Sequence, residues 1–270
     1  MKLTYAPNEH SLLRTLFLFV LIFSLTSCAS DKDDVMEEDP EMAVEDPAEP
    51  DNPETPSEDP QAGCDDVSKY IFNEKDGLVK VEFENALFIK EEWKQEASEQ
   101  NFSGEGYMVW TGDENLGNPG VGATSFKIKI NNPGTYQFLW KSAVTIGSNG
   151  TEHNDTWLRF DDADDFYGKK GESIVYPKGR NKTPNPEGAT KDGWFKIYRS
   201  GNDLGFKWQA RTFDNNAHDI FVEFKEPGVY TMEISARSKG HAIDAFVLFT
   251  EAFGKNNAMD AETFSEITCN

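Results

Sequence analysis

The segment richest in groups that could recognise a polar ligand spans residues 153–168. It holds a histidine, an asparagine, a tryptophan, an arginine and five aspartates within sixteen residues. Such a set could bind a metal ion, form a catalytic centre or line a sugar-binding edge. It does not match a helix–loop–helix calcium loop, because the sixth and twelfth positions from Asp162 are Tyr167 and Ser173 instead of glycine and glutamate. An irregular calcium site and a solvated acidic turn both stay open here.

The chain lacks the patterns that position a catalytic nucleophile or base. Beyond the amino-terminal segment its histidines are far apart, at positions 153, 218 and 241, and neither a zinc-protease motif nor a serine-hydrolase elbow is present. We therefore expect no enzymatic activity. The alternative is a lyase or glycoside hydrolase of the same fold, in which a lyase would draw its base and its cations from His153, Arg159, Lys141 and Tyr198.

Sugar recognition fits the composition better. Sugars present apolar C–H faces and a rim of hydroxyls, so their sites combine aromatic platforms with polar side chains. Strand alternation places Trp157 and Arg159 on one face, and residues 153–155 either enter a binding face or form an ordinary turn. Several tryptophans should belong to the core, Trp140 first. The predicted ligand-binding residues are Trp110, His153, Asn154, Asp155, Trp157, Arg159, Trp208, Arg237 and His241.

The first 27 residues have the pattern of a lipoprotein signal peptide. An apolar run at residues 16–23 is too short for a comfortable membrane span and leads into residues 25–28, which resemble a bacterial lipobox. Cys28 would then be lipidated; the alternative is an ordinary secretory signal. The acidic residues 29–34 resemble the surface-export signal of Bacteroidota lipoproteins. We therefore expect an outer membrane lipoprotein exposed on the cell surface.

Residues 28–63 are predicted to form a disordered acidic tether. From residue 31 to 63 the chain has fourteen acidic residues, one lysine and six prolines, so it cannot bury enough apolar area to offset its chain entropy. This segment carries −13 of the formal net charge of −22, and residues 64–270 keep about −10. Such a charge argues against nucleic acid or an anionic bilayer as partner.

Residues 64–270 are predicted to form one domain, with Cys64 and Cys269 near its two ends. In an oxidising compartment these two cysteines either form a disulfide or stay as free thiols. Only residues 89–100 suit a helix, and a loop is equally compatible. The long segment 161–192 suits a lid or an extra hairpin.

Short apolar or alternating runs, broken by Gly, Pro, Asn and Asp, predict many strands after residue 77. This pattern favours an all-β fold, an antiparallel β-sandwich. The predicted strands cover residues 78–86, 106–111, 124–131, 134–142, 156–161, 173–176, 193–198, 205–209, 218–224, 228–235 and 242–250.

Residues 81–84 and 242–249 carry a family resemblance. They resemble the opening and closing strands of carbohydrate-binding modules of the family 6 and family 35 type, which are jelly rolls of the galactose-binding-like class. The resemblance spans residues 78–250 and implies a structural Ca²⁺ held by Glu82, Glu84 and Asp244. Outward-facing strand carboxylates are the alternative, although Asp244 would be costly unpaired within its apolar run. The family's asparagine two residues before the closing aspartate is Ala242 here.

The expected function is therefore non-catalytic binding of a polysaccharide at the bacterial cell surface, accessory to glycan capture or degradation. Its expected partners are the polysaccharide, the outer membrane through the lipid anchor, and other surface glycan-utilisation proteins. A structural or adhesin-like surface lipoprotein without a sugar site is a further alternative.

Overall fold

The computed structural model describes residues 64–269. The predicted signal peptide, the lipidation at Cys28 and the acidic tether all lie outside these residues. No helix within residues 64–269 is long and apolar enough to cross a membrane.

The described chain is built almost entirely from strands. A short 3-10 helix covers Val67–Lys69, and one α-helix, α1, covers Lys255–Asp260. The strands are β1 Tyr70–Asn73, β2 Leu78–Glu82, β3 Trp93–Glu96, β4 Tyr107–Trp110, β5 Thr124–Ile130, β6 Gly134–Val144, β7 Asp155–Arg159, β8 Asp165–Lys170, β9 Ser173–Val175, β10 Thr190–Lys191, β11 Trp194–Tyr198, β12 Lys207–Trp208, β13 Arg211–Thr212, β14 His218–Phe224, β15 Gly228–Ser235, β16 His241–Thr250 and β17 Ile267–Cys269.

The strands form two layers that belong to one curled sheet. The first layer has the order β17–β1–β5–β15–β7–β11. In the second, β2 and β4 lie beside β16, and β6, β14, β8 and β9 follow. Strand β13 pairs with both β11 and β14 and so joins the two layers. The pairings are antiparallel except between β1 and β5. The predicted β-sandwich of jelly-roll type is confirmed.

The two layers face each other across an aromatic core. Strand β5 alternates strictly between buried and exposed residues, so one face of the strand packs inward. The Phe126 ring lies 5.1 Å from the Phe246 ring of the opposite layer, and the Phe166 and Phe195 rings lie at the same spacing. Trp140 is fully buried in this core, which confirms its predicted place.

All eleven predicted strands are present with small shifts at their ends. Residues 89–100 contain β3 and no helix, so the helical option for that segment is wrong. The segment 161–192 contributes the hairpin of β8 and β9, and β8 pairs with β14 inside the second layer. The sequence does not show β8 because it begins with Asp165 and continues through Gly168 into two lysines.

A disulfide joins Cys64 to Cys269, with their Cα atoms 5.6 Å apart. This is one of the two states that the sequence allows for these cysteines. It lies beside the pairing of β1 with β17, in which Tyr70 is opposite Cys269. The bond therefore ties both ends of the described chain to the edge of the first layer.

Replacing both cysteines by serine should lower the free energy of unfolding by about 2–4 kcal/mol, because the unfolded chain regains the freedom that a long closed loop denies it. Denaturant titration of both proteins measures this loss. Adding a reductant should destabilise the wild type but leave the variant unchanged. Equal midpoints for the two proteins would show that the bond contributes nothing to stability.

Candidate functional site

A cleft of about 800 Å³ opens at the end of the sandwich where β7 begins and β11 ends. In the antiparallel pair of these strands, Asp155 lies opposite Tyr198, and Trp157 lies opposite Lys196. Cross-strand partners share a face of the sheet, so these four side chains project from the outer face of the first layer. Four of the nine predicted ligand-binding residues line the cleft, namely His153, Asn154, Asp155 and Arg237.

The floor of the cleft is a buried ion pair with further hydrogen bonds. Arg237 Nη1 donates to Asp155 Oδ2, and Ser238 Oγ donates to Asp155 Oδ1 at 2.5 Å. The Arg237 guanidinium also lies 5.2 Å from the centre of the Trp157 ring. Its Nε is buried without a hydrogen-bond partner in the described part of the chain. The domain therefore does not satisfy every donor of the guanidinium at the floor of the cleft.

The walls of the cleft carry further polar side chains in pairs. Lys196 Nζ donates to Asp214 Oδ2. His153 Nδ1 lies 3.3 Å from Glu114 Oε1. These groups belong to β11 and to the loops beside it, so the fold assembles the site from segments distant in sequence.

Asn154 and Arg199 support the cleft from beneath. Asn154 Nδ2 donates to the carbonyl of Arg199 at 2.6 Å. The Arg199 guanidinium donates to the Asp203 carboxylate at 3.0 Å and to the carbonyl of Leu204 at 2.7 Å. Asn154 therefore holds the loop after β11 in place, a positioning role that the sequence does not reveal.

Trp110 and Trp157, predicted to bind the sugar, are buried, so that prediction is wrong for both. Trp110 is 3 % exposed and Trp157 is 2 % exposed, so neither ring can stack on a sugar. Trp157 Nε1 donates to the carbonyl of Asn115 at 3.0 Å. The loop at 113–121 lies over β7 and β15, and it is fixed there by the hydrogen bond from Gly120 N to Ser235 Oγ at 2.8 Å. Strand alternation predicts the face of Trp157 but not the loop that covers it.

His241 is also corrected, because it is fully buried. Its Nδ1 lies 2.8 Å from Thr156 Oγ1 on β7. Burial, and next the nearby charge of Arg199, lower the pKa of His241 to about 3. The ring is therefore neutral at physiological pH and faces the interior instead of a ligand.

Arg159 and Trp208 lie outside the cleft. Arg159 pairs with Glu233, with Nη2 and Oε2 2.7 Å apart, and its guanidinium lies 4.5 Å from the centre of the Trp194 ring. Trp208 is half-buried, and Lys80 Nζ lies 5.5 Å from the centre of its ring. The structure brings neither residue to the predicted ligand-binding group around Asp155.

The four residues of the lyase alternative are not assembled. His153 and Tyr198 line the same cleft, but Lys141 pairs with Asp244 on the other layer and Arg159 with Glu233. Burial raises the pKa of Tyr198, which keeps its phenol protonated and makes it a poor base. The arrangement suits recognition better than proton abstraction.

The predicted calcium ligands meet beside the pairing of β2 with β16. Ser103 N donates to Asp244 Oδ1 at 2.9 Å, and Ser103 Oγ donates to Glu82 Oε2 at 3.0 Å. Glu84 Oε1 accepts from Glu105 N at 3.1 Å. Lys141 Nζ lies 2.8 Å from Asp244 Oδ2. Three carboxylates thus share one region with one lysine.

Two oxygens of this carboxylate cluster (Glu82, Glu84 and Asp244) have the character of cation ligands. Glu82 Oε1 and Glu84 Oε2 are buried without a hydrogen-bond partner in residues 64–269. Burial, and next the charge of Glu84, raise the pKa of Glu82 to about 7, and burial also raises the pKa of Glu84. Carboxylate oxygens of this kind suit Ca²⁺. Within the described residues, however, no three acidic, histidine or cysteine side chains already surround one point as metal ligands.

A second cleft, of about 900 Å³, lies on the outer face of the second layer. It is lined by four cationic side chains, whereas the first cleft is lined by three lysines and arginines. The four are Lys169, Lys170, Arg211 and Lys255.

No family model and no curated protein matches the chain. Solved structures similar to it include the mannanase GH26-CBM35 of Podospora anserina, at 14% identity and a TM-score of 0.37, over 65% of this chain and 28% of that one. A second is Xyl-CBM35 with a disaccharide that contains glucuronic acid, at 13% identity and a TM-score of 0.36, over 64% of this chain and 93% of that one. A third is the C-terminal CBM6 of LamC, a marine laminarinase of Zobellia galactanivorans, at 12% identity and a TM-score of 0.33, over 64% of this chain and 99% of that one. The chain thus spans about a quarter of the mannanase. Similarity at this level does not identify its ligand.

Proposed function

We propose that the domain binds a polysaccharide without chemical change, and that the cleft above Asp155 and Arg237 is its binding site. The observation that carries the proposal is the floor of that cleft. There a carboxylate and a guanidinium lie side by side, with Ser238 beside them and one guanidinium donor still unpaired. Neighbouring donors and acceptors in an open cleft suit the hydroxyl rim of a sugar.

The cleft also offers apolar surface for the C–H face of a sugar ring. Leu116, which is 49% exposed, and Tyr198 line it together with Ala217. Because the tryptophans in the described chain are buried or half-buried, the site depends on these smaller surfaces and on polar contacts. An enzyme of the same fold is less favoured, since Lys141 and Arg159 of the lyase alternative lie away from the cleft and pair with Asp244 and Glu233.

Substitution in the cleft tests this proposal. We expect Arg237→Gln to weaken polysaccharide binding at least tenfold in affinity electrophoresis, because the sugar hydroxyls lose their charged donor. Asp214→Asn, at a side chain that is 56% exposed, should weaken it by a few fold. A melting curve checks that this variant stays folded, because Lys196, 7% exposed, loses its counter-charge. Arg159→Gln, outside the cleft, is the matched control.

Assays for reducing ends and unsaturated products on any retarding polysaccharide separate binding from catalysis. Retardation without product supports the proposal, and product release would replace it with the enzyme. Equal binding by Arg237→Gln, Asp214→Asn and wild type would move the site elsewhere.

The proposal includes a structural Ca²⁺ bound by Glu82, Glu84 and Asp244. The two unpaired buried oxygens support it. Lys141 and Ser103 already hold Asp244, so Glu82 and Glu84 would supply the free oxygens. The ion would neutralise the cluster and fix the junction of β2 and β16; it has no part in contacting the sugar.

The proposal also places the domain at the outer face of the outer membrane, lipidated on Cys28 and held away from the bilayer by residues 28–63. Its support is the sequence of the first 63 residues alone. There it would act beside other surface glycan-utilisation proteins. Metabolic labelling with a radioactive fatty acid, lost in Cys28→Ala, tests the anchor, and protease access to intact cells tests the exposure.

A further inference from the structure

The cations of the cleft above Asp155 and Arg237 are already neutralised within the domain. Arg237 pairs with Asp155 and Lys196 with Asp214. Arg199, fully buried, pairs with Asp203, with Nη2 and Oδ2 3.0 Å apart. An anionic ligand would have to separate one of these pairs before it gained an ion pair of its own.

The cleft also holds more carboxylates than fixed cations. Its lining carboxylates are Glu114, Glu152, Asp155 and Asp214, against the cations Lys196, Arg199 and Arg237. Residues 64–270 add a net charge of about −10 around it. A carboxylate or sulfate that enters therefore meets like charge both nearby and at long range.

Hydroxyl groups suit the cleft better than anions do. A hydroxyl both donates and accepts a hydrogen bond, whereas a carboxylate or sulfate only accepts. The cleft presents both partners, because the exposed carboxylates of Glu114 and Glu152 accept and the exposed amide of Asn215 can donate. A sugar hydroxyl can use the two at once, and an anion can use only one.

In the second cleft the four cations outnumber the two lining carboxylates, Asp219 and Glu251, and Arg211 pairs with Asp219 at 3.6 Å. No ion pair links Lys169 or Lys255 to another side chain within residues 64–269. Lys170 donates to the amide oxygen of Asn216, which is uncharged, at 2.8 Å. The two clefts of this domain therefore differ in the charge that they offer, and binding at one can be told from binding at the other by substitution.

We propose that the cleft above Asp155 and Arg237 selects uncharged glycans and rejects glycans that carry carboxylate or sulfate groups. This inference rests on the proposed function and names the ligand class of the same site. The selecting groups are the exposed carboxylates of Glu114 and Glu152. Asp155, Asp214 and Asp203 add to the selection because they already neutralise the three cations.

A glycan array with matched backbones tests the selection. Each backbone is presented in a neutral, a uronate and a sulfated form, and hits are repeated by affinity electrophoresis at low and high salt. We expect at least tenfold weaker binding of the anionic form, and a smaller ratio at high salt, where repulsion is screened. The double variant Glu114→Gln/Glu152→Gln, altered at two exposed rim positions, should bind the anionic form several times better than wild type.

Stronger binding of the anionic form, lost in Arg237→Gln and kept in Lys169→Gln, would overturn the selection and leave the proposed function standing. Anionic binding that is lost in Lys169→Gln instead would belong to the second cleft and would support the selection at the first. Failure of every glycan to bind would overturn the proposed function, and this inference with it.

Discussion

Trp157→Ala should lower the free energy of unfolding by about 3–5 kcal/mol, among the largest losses that one substitution can cause here. The ring is 2 % exposed and packed between β7 and the loop at 113–121. Its removal leaves a cavity, frees the carbonyl of Asn115 from its donor and takes away the surface on which Arg237 lies. In a domain of this size the melting temperature should fall by about 10 °C, which scanning calorimetry measures.

Trp208→Ala is the matched control, because Trp208 is half-buried and lies outside the cleft. It should cost roughly half as much or less, since less apolar area is lost. The Trp157→Ala variant also separates a core role of Trp157 from a sugar-binding role. If Trp157→Ala melts like wild type and yet loses polysaccharide binding, the ring is an accessible sugar platform after all. The loop at 113–121 would then not cover the Trp157 ring in solution.

Much of the fold follows from local sequence pattern. Strict alternation in β5, and the turn before β6, predict two strands that each turn one face inward, and both strands are present. The hairpin that the same turn suggests is wrong, because β5 pairs with β1 and β15 in the first layer whereas β6 pairs with β14 and β16 in the second. Strand β8 could not be predicted in this way. Its Asp165 is tied to Lys182 at 2.7 Å, and its Gly168 packs beside Thr212 and His218. These contacts come from segments distant in sequence, so the local alternation of apolar and polar residues does not predict the strand.

The candidate site was predictable only in part. Asp155 at the start of a strand and Arg237 before a turn are polar residues at loop boundaries, where sequence reasoning looks for them. Lys196 and Tyr198 reach the cleft only because β11 pairs with β7. The prediction for Trp157 is wrong because strand alternation gives the face of a residue but not what covers that face. Tertiary packing, not residue type, decides which aromatic ring is available.

Adding Ca²⁺ at pH 8 should raise the melting temperature of the domain by about 5–10 °C. At about 100 times its Kd, an ion that binds only the folded state adds roughly 2.7 kcal/mol, and a domain of this size gains 2–4 °C or so for each kcal/mol. The physical reason is that Glu82 Oε1 and Glu84 Oε2 are buried without partners. A chelator should reverse the gain.

The size of the calcium effect should depend on pH. Because the pKa of Glu82 is raised to about 7 in the folded protein, folding favours its protonated form. Without Ca²⁺, the contribution of Glu82 to stability should therefore be greatest below its ordinary pKa of 4.5. It should fall by up to about 3 kcal/mol as the pH rises towards 7, and level off above that. Ca²⁺ binds the ionised carboxylate, so its gain should be larger at pH 8 than at pH 5.

Two variants separate the metal from the carboxylates alone. Glu82→Gln should lose most of the pH dependence and most of the calcium gain, because the titrating ligand is gone. Glu233→Gln, which alters a surface carboxylate paired with Arg159, should keep both. If Ca²⁺ shifts no melting temperature between pH 5 and 8 and Asp244→Ala is as stable as wild type, the metal proposal falls. A pH slope that persists in that case would show that the carboxylate cluster is stabilised by protonation, beside the ion pair of Lys141 with Asp244.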